Sequence, residues 1–265
     1  MRLSIDHLTR YRFSAPQGRI VQLLRMTPEN THDQTVASWH VAVDCDARMR
    51  RHRDGFGNCT TMLYCEGPVD SIEITVAGEV VTSHSDGVLR GTFEPLPEAL
   101  FLRSTPLTEA DTLIRAFAAD LAGGDRIEVL HRLNRAVAAH VSRDCGRPEA
   151  GRTAAEVFAA AEGTARDAAH LFIAAARSLG VPARYVSGYC DLTGDRRPTP
   201  HGWAEAWVDD LGWVGFDPTL GLSPEEHHVR IASALDAIGA APVAGSRLGE
   251  GDERLDVEVR VQPED

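Results

Sequence analysis

The sequence predicts an α+β chain in two parts, an N-terminal β-sandwich followed by helices packed on an antiparallel sheet. Three observations predict it. Through the first hundred of 265 residues, apolar positions recur at period two. From Thr108 the period turns helical. After Gly163 comes a nearly all-apolar helix, then a strand and a hairpin. With 43% hydrophobic and 25% charged residues, the chain has the composition of a packed globular protein.

The strands expected in the first part are Leu3–Phe13, Val36–Val43, Cys59–Tyr64 and Ser71–Val81, with Asp54–Asn58 (DGFGN) as a turn between two of them. Packing such a meander on itself gives a sandwich over residues 1–100. Pro95–Leu102 reads as a connector to a second part, 101–265. There Thr108–Leu121, Ile127–Val141 and Thr153–Ala161 carry helical spacing, the first stopped by Gly123-Gly124. Asp167–Leu179 is apolar on most sides, as a buried helix is, and Gly180 and Pro182 end it. Ala183–Tyr189 reads as a strand, Cys190–Pro200 as a loop, and Trp203–Val208 with Trp213–Phe216 as a hairpin. Gly239–Gly251 looks loop-like. The alternating Leu255–Val261 is a last strand able to join either sheet.

Several function classes are disfavoured by composition. A formal charge of −12, from 27 basic and 39 acidic residues, argues against a nucleic-acid partner. No run of about 18 apolar residues exists to span a membrane. Arg2, Asp6 and His7 interrupt the stretch where a signal peptide needs an apolar core, so a cytoplasmic protein is expected. The five cysteines (45, 59, 65, 145 and 190) are odd in number and form no CxxC pair, so disulfides are not expected. Glu225, Glu226, His227 and His228 form the one dense run of metal-ligand types. HExxH spacing is absent, and the run reads as a solvated loop rather than a metal site.

The chemistry rests on His201 and Asp217 at the open ends of the hairpin. A three-residue turn, Asp209–Leu211, sets Asp217 opposite Trp203 and puts His201 diagonally on the same face, roughly 7–8 Å away between backbones. A loop one residue longer would put them on opposite faces. A carboxylate on one imidazole nitrogen fixes the tautomer and frees the other nitrogen to act as a base. The head of the buried helix is where a nucleophilic thiolate would be stabilised. The residues there are Gly163, Thr164, Ala165, Arg166 and Asp167, with no cysteine among them.

Three segments, RDAAHLFIAAARSLGVPARYVSGY, HGWAEAWV and GWVGFDPT, stand in that order behind HLTRYRF and DGFGN. Together they resemble the bacterial transglutaminase-like proteins, which share the papain-like cysteine-hydrolase core. The resemblance runs through nearly the whole chain. It implies an N-terminal β-domain and a transglutaminase core. It also implies a catalytic triad with His201 as base, Asp217 as its orienting partner, and residue 165 as nucleophile in a G-x-C-[QR]-D pattern. Ala165 stands where that cysteine belongs. A methyl group cannot attack a carbonyl, and loss of a nucleophile costs on the order of 10⁶ in rate. Two readings follow: a cysteine acyl transferase or peptidase acting on amide bonds but inactive as written, or a natural pseudoenzyme that binds a peptide or protein. Ala165 is either an engineered change or a natural loss, and the alanines at 168 and 169 lean toward the second. No cofactor is implied, and no D-x-D-x-D-G calcium loop is present.

Other residues divide between structural and functional readings. Cys190 could approach His201 as a replacement nucleophile, or fill space as a small apolar group. Cys145 has no family role. Thr164 and Asp167 read as helix caps and His170 as a core histidine. Trp203, Trp207 and Trp213 read as core, with one of them open to lining an acceptor groove. Glu205 is expected to pair with Arg184. Arg196-Arg197 reads as a solvated loop tip able to meet a substrate carboxylate.

Overall fold

The computed structural model describes residues 1–144, 149–191 and 199–264. Four strands come first: β1 (Arg2–Leu24), β2 (Gln34–Val43), β3 (Ala47–Arg53) and β4 (Cys59–Thr82). Helices α1 (Thr112–Asp120) and α2 (Arg126–His140) follow, then the two-residue strand β5 (Ser142–Arg143), α3 (Ala154–Ala160) and the equally short β6 (Glu162–Gly163). Next come α4 (Ala165–Ser178), β7 (Ala183–Cys190), β8 (His201–Val208), β9 (Gly212–Phe216), β10 (His228–Ala234), β11 (Val243–Leu248) and β12 (Glu253–Pro263). No helix among the described residues is long and apolar enough to cross a membrane.

The first part is one curled six-stranded antiparallel sheet. β1 and β4 are each over twenty residues long, and their pairing shifts register between Arg12 and Arg19. On one side of that irregularity lie β2 and β12, on the other β3 and β11. The two halves fold over a shared core, with Tyr11, Ile72 and Ile74 meeting Ile20, Leu24 and Leu63. The expected sandwich is therefore built from a single bent sheet. Of the two sheets open to it, the last strand joins this one, running from Leu3↔Pro263 to Phe13↔Glu253 along β1.

The second part stacks α4 on a four-stranded antiparallel sheet ordered β10-β7-β8-β9. Small residues let helix and sheet approach closely. Ala168, Ala169, Ala175 and Ala176 of α4 share a core with Ala204 and Ala206 of β8. The helix ends as its sequence demands. Gly180 adopts φ 76°, its N–H bonds Arg177 O, and Val181 N–H bonds Ala176 O, a Schellman closure. Arg177, buried in the last turn, donates to the carbonyls of Phe101, Ala183 and Leu235 and locks the helix to its surroundings. α1 begins at Thr112 rather than Thr108, because the Asp111 side chain caps Ile114 N–H and Pro106–Thr108 forms its own 3₁₀ turn.

The two parts meet across β7 and β10. Leu3, Ile5, Val80, Val259 and Val261 pack on Tyr189, Val229 and Ile231. The DGFGN turn is a docking element. Asp54 accepts from the backbone N–H groups of Phe56 and Asn58, and the Asn58 amide pairs with both backbone groups of Ser233 on β10.

Candidate active site

The β8–β9 ladder runs from Val208↔Gly212 to Ala204↔Phe216 around a three-residue turn, which sets Asp217 level with Trp203. That is the register in which His201 and Asp217 share a face. His201 Nε2 lies 2.7 Å from Asp217 Oδ2, and both side chains are buried. The carboxylate is held by two further donors, His228 Nε2 at 3.1 Å on Oδ2 and the Thr219 N–H at 2.9 Å on Oδ1. Burial by itself raises a carboxyl pKa. Here the His201 and His228 imidazoles more than reverse this and keep Asp217 far below the usual carboxylate range. Asp217 is thus a fixed anion, and the His201 nitrogen it does not hold is Nδ1.

Ala165 is the first residue of α4 and half-buried. The helix head is firmly built: Thr164 N–H and Oγ1 both donate to Asp167 Oδ2, at 3.0 and 2.8 Å. Arg166 reaches Asp167 Oδ1 at 2.8 Å. The capping reading of Thr164 and Asp167 is what these bonds describe. Arg166, the neighbour of Ala165, and His201 line one cleft of about 470 Å³. Tyr185, Ser187, Ile238 and Pro242 are among the other residues of its wall, which is largely apolar. Val243 and Ala244, at the start of β11, also line it, so the N-terminal sheet contributes to the cleft edge.

The remaining residues sort by contact. His170 is fully buried, burial pushes its pKa down to about 4, and its Nε2 accepts the Ala237 N–H at 3.0 Å. It is a core histidine tying α4 to the cleft wall. Glu205 bonds Arg184 at 2.6 Å across β7–β8, as expected, and also Arg230 at 2.7 Å. Arg184 in turn lies over the Trp213 ring, 4.0 Å from its centroid. None of Trp203, Trp207 and Trp213 is among the described cleft-lining residues; Trp203 and Trp213 are buried. Cys190 is the last residue of β7 rather than the start of a loop. It is buried and directly opposite His228, with Sγ 3.4 Å from His228 Nε2. Cys45, Cys59, Cys65 and Cys190 form no disulfide. The Glu225–His228 run does not converge. His228 turns inward to Asp217, His227 is half exposed near Asp191, and Glu225 meets His84. Cys145 and Arg196-Arg197 lie outside the described residues.

By sequence His228 falls in a solvated loop, whereas it is buried and opens β10. Its partners come from β7, β8 and the end of β9, and a single chain position carries no trace of them. Only its place at the start of an alternating run, HVRIASA, hinted that it belongs to a strand.

The comparisons bear on the family and the fold. The sequence profile described as the bacterial transglutaminase-like N-terminal region matches residues 3–81, and that of the transglutaminase-like superfamily matches residues 115–218. An uncharacterized protein of Mycobacterium leprae is 27% identical over 281 residues, covering 98% of each chain. A protein-glutamine gamma-glutamyltransferase of Pseudomonas aeruginosa is 33% identical over 69 residues, which is 22% of this chain and 10% of that one. In the solved structures, a Cytophaga hutchinsonii protein described as a candidate cysteine protease shares the fold. Its TM-score is 0.76 at 20% identity, over 100% of this chain and 92% of its own. With its curled sheet and its helix-on-sheet core both matched, the chain belongs to the transglutaminase-like superfamily and carries the bacterial transglutaminase-like N-terminal region.

Proposed function

We propose that the cleft beside Ala165 binds an extended peptide or protein segment in the manner of a cysteine acyl transferase or peptidase, and leaves its amide bonds intact. One observation carries the reading. The His201–Asp217 pair is fully formed, His201 shares a cleft with Arg166, and the residue before Arg166 is an alanine where the family's pattern has a cysteine. In an active frame, His201 Nδ1 takes the proton of a thiol at 165, and the thiolate attacks an amide carbonyl. Asp217 keeps the imidazole in the tautomer this requires. Ala165 removes the attacking pair and leaves the binding surface. The glutamyltransferase match makes a glutamine carboxamide the first amide to try.

The test has two arms. A dye-labelled glutamine peptide should bind the unmodified chain with no turnover. An Ala165→Cys variant, treated with limiting iodoacetamide over roughly pH 5–9, should alkylate at 165 with a thiol pKa well below the ordinary value near 8.5. An ordinary thiol pKa at 165 would mean that the frame is not poised, and failure to bind any glutamine peptide would remove the substrate reading. Fast labelling of a native cysteine in the unmodified chain would replace both with a relocated nucleophile.

A further inference from the structure

Next to the dyad, three strands bring Cys190 and His228, which acyl transfer does not use, together with His201, which it does. Cys190 ends β7, His228 faces it across the β10–β7 pair, and His201 begins β8. A sulfur and one ring nitrogen from each histidine lie within 4.8 Å of one another, and all three residues are buried. Asp217 Oδ2 adds an oxygen 2.7 Å from His201 Nε2 and 3.1 Å from His228 Nε2.

We propose that Cys190, His201, His228 and Asp217 form a binding site for a single borderline divalent transition-metal ion of the zinc class. Size is the first support. Zinc bonds of about 2.0–2.1 Å to nitrogen or oxygen and about 2.3 Å to sulfur put tetrahedral ligands about 3.3 Å apart, or about 3.6 Å where sulfur is one of the two. The Cys190–His228 contact of 3.4 Å and the His228–Asp217 contact of 3.1 Å already stand near these values. On loading, the His201–Asp217 contact opens by about half an ångström, and the sulfur and two ring nitrogens, now spread within 4.8 Å, draw together. Charge is the second support. A thiolate and a carboxylate neutralise a divalent ion, so the loaded site carries no net charge into a buried place. Ligand type is the third. One sulfur, two imidazoles and a carboxylate suit zinc or cobalt, whereas a blue-copper site would replace the carboxylate with a weak axial thioether.

Binding forms one metal–sulfur, two metal–nitrogen and one metal–oxygen bond and displaces water from the ion. The Cys190 thiol gives up one proton to solvent. Each imidazole moves its remaining proton from Nε2 to Nδ1. At His228 this has a cost, because Glu225 N–H points at Nδ1 from 3.3 Å. Two donors cannot face each other, so the Glu225 peptide turns aside on loading. At His201 the proton arrives on the nitrogen that would otherwise act as base. A loaded site therefore takes the dyad out of acid–base service, whether or not the cleft binds peptide.

The experiment is a cobalt titration of the full-length chain, stripped with chelator. The expected result is one Co²⁺ per chain, a thiolate-to-cobalt charge-transfer band, release of one proton, and displacement by Zn²⁺. Cys190→Ser should abolish the band. His228→Gln should weaken binding by more than the roughly 10–100-fold typical of outer-shell changes. Because either variant could fold poorly, zinc X-ray absorption on the unmodified chain gives an independent reading: one sulfur and three nitrogen or oxygen neighbours. No band at stoichiometric Co²⁺, a band that survives in folded Cys190→Ser, or a zinc shell without sulfur would each overturn the site.

Discussion

Replacing Glu205 with glutamine is the sharpest test of what holds the second sheet together. Glu205 is 2% exposed and sits between Arg184, 1% exposed, and Arg230. Burial alone would raise its pKa, but Arg230 and Arg184 overcome that and hold it at about 2, against an ordinary value of 4.5. That gap is worth about 3 kcal/mol of folding stability. The figure agrees with the 3–5 kcal/mol expected when one partner of a buried ion pair is removed and the other charge stays behind. For a chain of this size, about 3–5 kcal/mol lowers Tm by roughly 6–10 °C at pH 7. The sign with pH follows. A carboxyl with a depressed folded pKa stabilises the fold fully above its unfolded value, and loses that contribution as pH falls through the folded one. The gap between wild type and Glu205→Gln should therefore be widest above pH 4.5 and shrink as pH drops toward 2. Calorimetry at a series of pH values reads both quantities. A Tm difference under about 2 °C at pH 7, or one that stays flat with pH, would refute the claim that the buried carboxylate holds two arginines in place.

Two further substitutions probe the packing that positions the site. Phe172 is fully buried on α4 and stacks on Phe216, one residue before Asp217. Phe172→Ala should cost about 3–5 kcal/mol in urea melts, and a loss below about 1 kcal/mol would mean that the helix does not depend on this contact. Gly188 faces His201 across β7–β8, and a Cβ there would stand 2.2 Å from Val229 O and 2.4 Å from the Trp203 ring. Gly188→Ala should destabilise by about 1–3 kcal/mol and push β10 outward, which amide exchange on His228 and Val229 would register as faster opening. Unchanged exchange would show that the strand yields without disturbing the site.

Much of this was legible because the chemistry lies in short local segments. The hairpin register followed from counting a three-residue turn, and α4 from an apolar run closed by Gly180 and Pro182. What escaped depended on distant partners. The alternation predicts a strand over Leu3–Phe13, yet β4 carries the pairing past Pro16 and Gly18 to Leu24. β3 (ARMRRHR) has almost no apolar face and is a strand only because β4 offers it an edge. β11 reads as loop on account of its glycines. Gly245 is needed there, since a Cβ would stand 2.2 Å from Val21 O, and proximity to β1 made the segment a strand against its composition. The inward turn of His228 belongs to the same class: the residue type was visible, but its surroundings were not.

The pairing of β12 along β1 sets a timetable for assembly. β1 is made long before β12, yet among the described residues Leu3–Phe13 has β12 as its one partner on one side. Until residues 243–263 exist, that side of β1 is a bare row of donors and acceptors, of the kind that recruits strands from other chains. The second sheet, with its helices and its dyad, is complete at Ala234, before β11 begins at Val243, and can settle first. Order in the N-terminal sheet is then imposed from the far end of the chain. A nascent chain stalled before β11 would carry a finished dyad beside a cleft still lacking its β11 edge, on an unfinished support, and its weak point would be an open strand edge.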